Sequence, residues 1–196
     1  MNTPLAEPPT IAAIDSLKLS QIYLSQKKID GILAWFDPDL HNFEPICARD
    51  FLGNGALHIT DGHTRAFVAW QHGIRQIPYI YDEDEIVTCA LGQIQYEEDI
   101  LWCERFRLHH VSDLAGRILS EDMYETLWRG RCGKMYSLKL ALYERRLCPD
   151  ELNRTSEQLS QKGLFIYGIS EDLSTLYLEN NSGELFEAPA HEPAFA

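Results

Sequence analysis

An α+β protein is predicted, and three features of the 196-residue sequence predict it. Residues 16–85 alternate short helix-like and strand-like runs. Residues 86–148 carry aliphatic and aromatic stripes between charged positions at helical period. Residues 164–187 alternate at strand period and are broken by two polar turns. The expected layout is an α/β domain over residues 16–85, a helical region over 86–148, and a short helix with a β-meander over 149–188. A flexible Pro-rich arm is expected over residues 1–15 and a disordered tail over 189–196.

The first element is carried by "SQKKIDGILAWF". Ser25 is placed to accept a bond from an orphan amide as N-cap, and Ile29, Ile32, Leu33 and Phe36 then share one face. Pro38 with its Asp and Asn neighbours stops this helix. "FEPICARDF" and "ALHIT" read as two strands around Gly53-Asn54-Gly55, where two glycines tolerate positive φ. From Thr64 the period changes to helical through Ala66, Phe67, Ala69 and Trp70, and Gly73 marks the end. "IPYIY" resumes as a strand with Pro78 at an edge or strand end. Strand, helix and strand within about 25 residues make a compact βαβ unit, which favours parallel pairing.

Beyond the acidic tetrad Asp82 to Glu85, "YEEDILWCERFRL" and "SEDMYETLWRGRCGKMYSLKLALYERRL" read as helices, with Pro149 closing the region. "TSEQLSQKG" reads as a short helix in which Thr155 and Gln158 are spaced for a capping box. The meander turns at Ser170 to Ser174 and at Asn180 to Gly183.

Composition narrows the function classes. A formal charge of −13 repels a phosphate backbone, so nucleic acid is an unlikely partner. The acidity is not confined to a tail: residues 17–85 hold six Lys/Arg against ten Asp/Glu. Five widely spaced cysteines without a C-x-x-C pair suggest reduced, mostly buried thiols in a cytoplasmic protein. "MNTPLAEPPT" lacks the basic and apolar regions of a secretory signal, and no apolar run approaches the ~20 residues that span a bilayer.

The chemistry gathers at "DGHTR", residues 61–65, where a strand turns into a helix. A helix start presents unpaired amides and the positive end of the macrodipole, which attract anions. Gly62 lets a ligand approach the backbone, and the amides of His63, Thr64 and Arg65 can point at a phosphate. Thr64 adds a hydroxyl, and Arg65 a planar cation suited to bidentate contact. His63 can donate hydrogen bonds or move protons near neutral pH. Asp61 can orient His63, accept a proton, or ligate Mg²⁺ between phosphates. The structural alternative stays open: Asp-Gly is a common turn, Thr64 or Asp61 can simply cap the helix, and Arg65 can simply pair with an acid.

Residues Leu17 to Tyr81 resemble the fold shared by ParB and sulfiredoxin. "KIDGILAWFDPDLHNFEPI" lines up without a gap with the sulfiredoxin helix, its Asp-Pro-Asp stop and its strand entry, and "IPYIY" matches the strand after the motif helix. The resemblance covers about a third of the chain and implies a small mixed sheet. Asp61, Gly62, His63, Thr64 and Arg65 fall on the Gly-Gly-Cys-His-Arg stretch that cradles ATP phosphates in sulfiredoxins, with His63 at the reactive cysteine. The arginine-rich phosphate motif of ParB is not evident. Closer still is the Asp-Gly-His-His-Arg motif of serine kinases in this superfamily, with Thr64 in place of the second histidine. The resemblance implies a phosphotransferase using ATP or ADP, with Mg²⁺, on a small hydroxyl acceptor. It also implies that Lys28 reaches the nucleotide, while Gly31 and Trp35 replace polar contacts on the same helix. A nucleotide-sensing or protein-interaction module without turnover is the alternative, and a ParB-like DNA-binding protein is a third reading that the acidic charge disfavours.

Glu44 is a candidate general base toward the acceptor, or else a solvated strand-end carboxylate. The acidic tetrad reads as a solvated helix start, because hard-cation sites need oxygens converging from several elements. His109 and His110 read as a loop or helix end. His58 reads as solvent-facing, and Trp70, Trp102 and Trp128 as core.

Overall fold

The computed structural model describes residues 9–39 and 44–190. Two compact units are formed by residues 1–124 and 125–196, so the division falls within the helical region and not at residue 85 as the sequence suggests. No helix among the described residues is long and apolar enough to cross a membrane.

The first unit is built on a four-stranded mixed sheet in the order β1-β5-β3-β4. Its strands are β1 (Thr10–Ala13), β3 (Ile46–Arg49), β4 (His58–Asp61) and β5 (Gln76–Tyr81). Gly53 and Gly55 take φ of +64° and +83°, and the Asp50 carboxylate accepts from the amides of Leu52, Asn54 and Gly55. That turn sends β4 back antiparallel to β3.

The expected parallel βαβ pairing is therefore corrected. β5 pairs parallel with β3, which lies between β4 and β5. The glycine turn reverses the chain before the helix begins, so the crossover runs from the β3–β4 hairpin over to the far side of β3. A second correction concerns the arm: β1 pairs antiparallel with β5, and a 3₁₀ turn over Ile14–Ser16 follows it. Ile14 is fully buried, which fixes residues that composition alone marks as reluctant to order. The remainder of the expected arm, residues 1–8, lies outside the described residues.

Helix α1 (Gln26–Leu33) begins as expected, with Ser25 Oγ accepting from the Lys28 amide at 3.3 Å. Ser25 also belongs to β2 (Leu24–Ser25), which pairs parallel with β6 (Ile118–Leu119). Helix α2 (His63–Gln71) packs against α1, and Gly73 follows it with φ +76°. Asp84 caps the short α3 (Glu85–Thr88), and α4 (Ala90–Arg105) follows. The core is Leu17, Leu19, Ile22, Ile46, Ile59, Phe67, Ile77 and Leu114, each at most 1% exposed. The unit closes with α5 (Glu121–Tyr124).

The second unit opens with a π-helical turn over Glu125–Arg129 that runs into α6 (Gly130–Tyr143). Helix α7 (Pro149–Gln161) starts six residues before the expected capping box. Pro149 is its first residue, where a missing N–H costs nothing. Thr155 lies mid-helix and donates to the Glu151 carbonyl at 2.9 Å. The meander is as expected: β7 (Leu164–Ile169), β8 (Thr175–Asn180) and β9 (Leu185–Pro189) pair antiparallel in sequence order. Pro189, expected in the tail, ends β9, and residues 191–196 lie outside the described residues. Leu138, Leu159, Ile169, Leu176 and Leu178 form the core of this unit.

Candidate functional site

Asp61 is the last residue of β4, and Gly62 turns the chain into α2 with φ +99°. A side chain is strained at that φ. A Cβ there would also stand 2.6 Å from Cγ2 of Ile46 on β3. The glycine thus answers to strand packing, and its backbone also lines the cavity at this corner.

The corner faces a cavity of about 660 Å³. Asp61, Gly62, His63, Thr64 and Arg65 line one side, together with Thr60 and Glu44, while Lys28, Gly31, Ile32 and Trp35 of the α1 segment line the other. All seven residues singled out from the sequence therefore meet at one cavity. The amides of His63, Thr64 and Arg65 are the first three of α2 and have no carbonyl one turn back; the fourth, Ala66, donates to Gly62 O at 2.9 Å.

Arg65 is held by the protein itself. It donates to Pro45 O at 2.9 Å and Glu44 O at 3.3 Å, pairs closely with the Asp61 carboxylate, and lies 3.7 Å from Glu44 Oε2. Its side chain is 16% exposed, against 73% for Asp61 and 91% for Glu44. One half-buried guanidinium thus ties the start of α2 to the entry of β3 and holds two exposed carboxylates at the cavity mouth.

His63 departs from expectation. Its ring is 4% exposed, and Nε2 accepts from the Ser20 amide at 3.2 Å. Burial, with Lys28 adding to it, pushes its pKa down to about 3. Near neutral pH the ring is uncharged and its hydrogen sits on Nδ1, so it can donate a hydrogen bond but does not relay protons in that range. Ser20 is pinned in turn, its hydroxyl donating to Ile59 O at 2.6 Å.

Lys28 Nζ lies 5.3 Å from the centroid of the Tyr124 ring. Gln21 also lines the cavity, and its amide donates to the Tyr124 hydroxyl at 3.3 Å. Sequence reading missed Gln21, Thr60 and Tyr124. Only Thr60, two residues from Gly62 on β4, carries a local signal; Gln21 and Tyr124 meet across 103 residues. On α1, Lys28, Gly31, Ile32 and Trp35 follow the same i, i+3, i+4, i+7 spacing as the supposed core face. Ile29 of that face is buried, but Leu33 is 43% exposed.

The remaining candidates resolve as follows. Thr60 donates to the Asp82 carboxylate, so the first acid of the tetrad supports β4. The His110 amide donates to Asp113 at the start of a 3₁₀ turn. His58 is buried, contrary to its expected exposure, because Lys18 bridges to the edge of β4 beside it. None of the five cysteines is in a disulfide, and Cys103 alone is buried, against the expectation of mostly buried thiols. Cys47, opposite Asp61 in the register of β3 and β4, is kept protonated by burial and by Asp82 and Asp61. No group of three or more His, Cys, Asp or Glu side chains among the described residues could hold a metal ion.

No protein-family model matches the sequence, and no curated protein matches it.

Proposed function

We propose that the cavity at the α2 corner binds the phosphates of a nucleotide, ATP or ADP, and that the protein transfers a phosphoryl group to a small hydroxyl acceptor. The observation that carries this reading is one cavity lined by the α2 amino terminus, the Lys28 ammonium and two exposed carboxylates. Phosphoryl transfer asks little covalent chemistry of a protein and much positioning of charge. The helix amides and Lys28 would hold the anionic groups, and the hydroxyl of Thr64 would add a donor.

Asp61 and Glu44 are the acids that face solvent at this site. Glu44 would take the proton of the acceptor hydroxyl as its oxygen attacks phosphorus and the bond to the leaving phosphate breaks. Mg²⁺ typically uses one or two carboxylates plus phosphate oxygens; with Glu44 left as the base, Asp61 would be the carboxylate that holds the ion here. Its chemistry there would be to neutralise charge between phosphates. His63, uncharged, would contribute a hydrogen bond.

A second reading is favoured by the contacts of Arg65: a guanidinium already committed to Asp61 and two carbonyls suits a nucleotide sensor that does not turn over. Calorimetry with ATP and ADP, with and without Mg²⁺, tests binding. Phosphorus NMR of mixtures containing free serine and other small alcohols tests transfer. Binding with a new phosphate ester supports the enzyme, and binding without one supports the sensor. Silence toward both nucleotides rules out both.

A further inference from the structure

We propose a second ligand site in the first unit, at the end of β4 away from the α2 corner, that binds a small zwitterion: a free apolar α-amino acid. His58, the first residue of β4, lines a separate cavity of about 200 Å³. That is more than ten times the roughly 10–15 Å³ one water needs. The His58 side chain is 4% exposed, and its Nδ1 is shielded from solvent; the Ala56 backbone lies beside the ring, but no described residue makes a hydrogen bond of full geometry to Nδ1. Native proteins leave few buried polar atoms unpaired, so such an atom calls for an explanation.

The walls say what kind of molecule fits. Leu19, Ile100 and Leu108, at 1%, 5% and 6% exposure, give an apolar lining. Lys18 and Glu104 line the same cavity with opposite charges, and among the described residues neither forms an ion pair with the other or with a third group. Lys18 is held in place: its amide donates to Leu57 O at 2.8 Å, and its carbonyl accepts from Ile59 N at 2.9 Å, on either side of His58.

A simple anion would satisfy Lys18 and face Glu104, and a simple cation the reverse. An uncharged apolar molecule would use neither charge and would leave His58 unanswered. An α-amino acid places its carboxylate at Lys18, its ammonium at Glu104 and its side chain on the leucine and isoleucine wall. The neutral imidazole can donate to the first group or accept from the second. Burial holds the His58 pKa below its ordinary value, in keeping with that neutral form.

The test is calorimetry and thermal unfolding of the whole chain with the apolar L-amino acids from alanine to phenylalanine. Two analogues of leucine serve as controls: 4-methylpentanoate, which lacks the amine, and 3-methylbutylamine, which lacks the carboxylate. At least one amino acid is expected to bind and raise the unfolding temperature. With L-leucine as reference, both analogues should bind about tenfold more weakly or worse, and Lys18→Met and Glu104→Gln should each weaken binding by about tenfold or more. Both substitutions are on charged heads at the cavity rim, and the unliganded unfolding temperature reports whether each variant folds. If no amino acid binds at millimolar concentration, or the analogues bind as well as L-leucine, the cavity holds solvent and the proposal is overturned.

Discussion

The backbone amide of Ser20 donates to Nε2 of His63 at 3.2 Å, with both residues buried. Protonating His63 would remove the acceptor of that bond and place a charge where solvent does not reach. With the folded-state pKa down to about 3 and an ordinary value of 6.5, the unfolded chain binds the extra proton between those values. The contribution to stability is complete above pH ~6.5 and is lost as pH falls toward 3, at up to about 1.4 kcal/mol per pH unit. Urea unfolding of wild type and His63→Gln at pH 7.5, 6 and 4.5 should show the wild-type advantage shrinking at each step. A pH-independent difference would contradict the neutral buried ring.

Gly62 and Ile46 make a second constraint on the same corner. Gly62→Ala adds a Cβ at φ +99° and 2.6 Å from Ile46 Cγ2, so it is expected to cost about 1–3 kcal/mol in urea denaturation. Ile46→Ala in the same chain should recover only part of the incremental cost of the alanine, because the Cγ2 clash disappears while Ile46 Cβ at 3.0 Å, Arg65 Nε at 3.1 Å and the backbone share remain. Full recovery would show that φ is not strained for alanine here.

What the sequence makes legible is local. Ser25 as N-cap, the Gly53–Gly55 turn, the Asp61-Gly62 corner and the meander all depend on residues a few positions apart, and each is found. What it hides depends on distant pairing. The opposite directions of β4 and β5, with β3 inserted between them, cannot be read from the βαβ pattern, because the glycine hairpin reverses the chain before α2. His58 alternates with Leu57 and Ile59 as a surface residue would, but Lys18 covers that strand edge. On α1 two stripes share the same spacing, and only the fold decides that Lys28, Gly31, Ile32 and Trp35 face the cavity. Five of the seven cavity-lining candidates lie in one pentapeptide, where local spacing was legible; Lys28 and Glu44 reach it through the fold. Arg65's commitment to Pro45 and Glu44, 20 and 21 residues away, was not.

Lys28 and Arg65 are expected to separate binding from stability. Lys28 is exposed and makes a ring contact with Tyr124, so Lys28→Ala should change stability by less than about 1 kcal/mol. The same change should lower nucleotide affinity about tenfold, more for ATP than for AMP. Arg65→Lys keeps the charge but loses the planar fork that reaches Pro45 O, Glu44 O and Asp61. It should cost about 1–3 kcal/mol of stability. Calorimetry and denaturation of both variants settle the division; a stable Arg65→Lys protein would mean that these contacts are incidental.

Ser25 joins three elements through one hydroxyl. Its Oγ accepts from the Lys28 amide and donates to Glu121 Oε2 at 2.9 Å, and Lys27 pairs with the same carboxylate at 3.4 Å. Ser25→Ala should cost about 1–2 kcal/mol, at the upper end for a cap because the residue is fully buried. Glu121→Gln in the Ser25→Ala background should then cost less than it does alone, since their shared bond is already gone. Strict additivity of the two changes in a double-mutant cycle would show that α1 and α5 are not coupled through this serine.

In the second unit, Arg131 on α6 pairs with Glu179 on β8, their side chains 4% and 2% exposed, and the Arg131 guanidinium also lies 4.7 Å from the Tyr167 ring centroid. A buried pair contributes little net, because desolvation offsets its attraction, but removing one partner strands the other charge. Arg131→Met or Glu179→Leu alone should therefore cost about 3–5 kcal/mol. The double variant should cost markedly less than either, since two apolar side chains replace two charges. Thermal unfolding of the three variants checks this. A double variant as unstable as the sum of the singles would mean that the pair is held by contacts beyond the mutual charge.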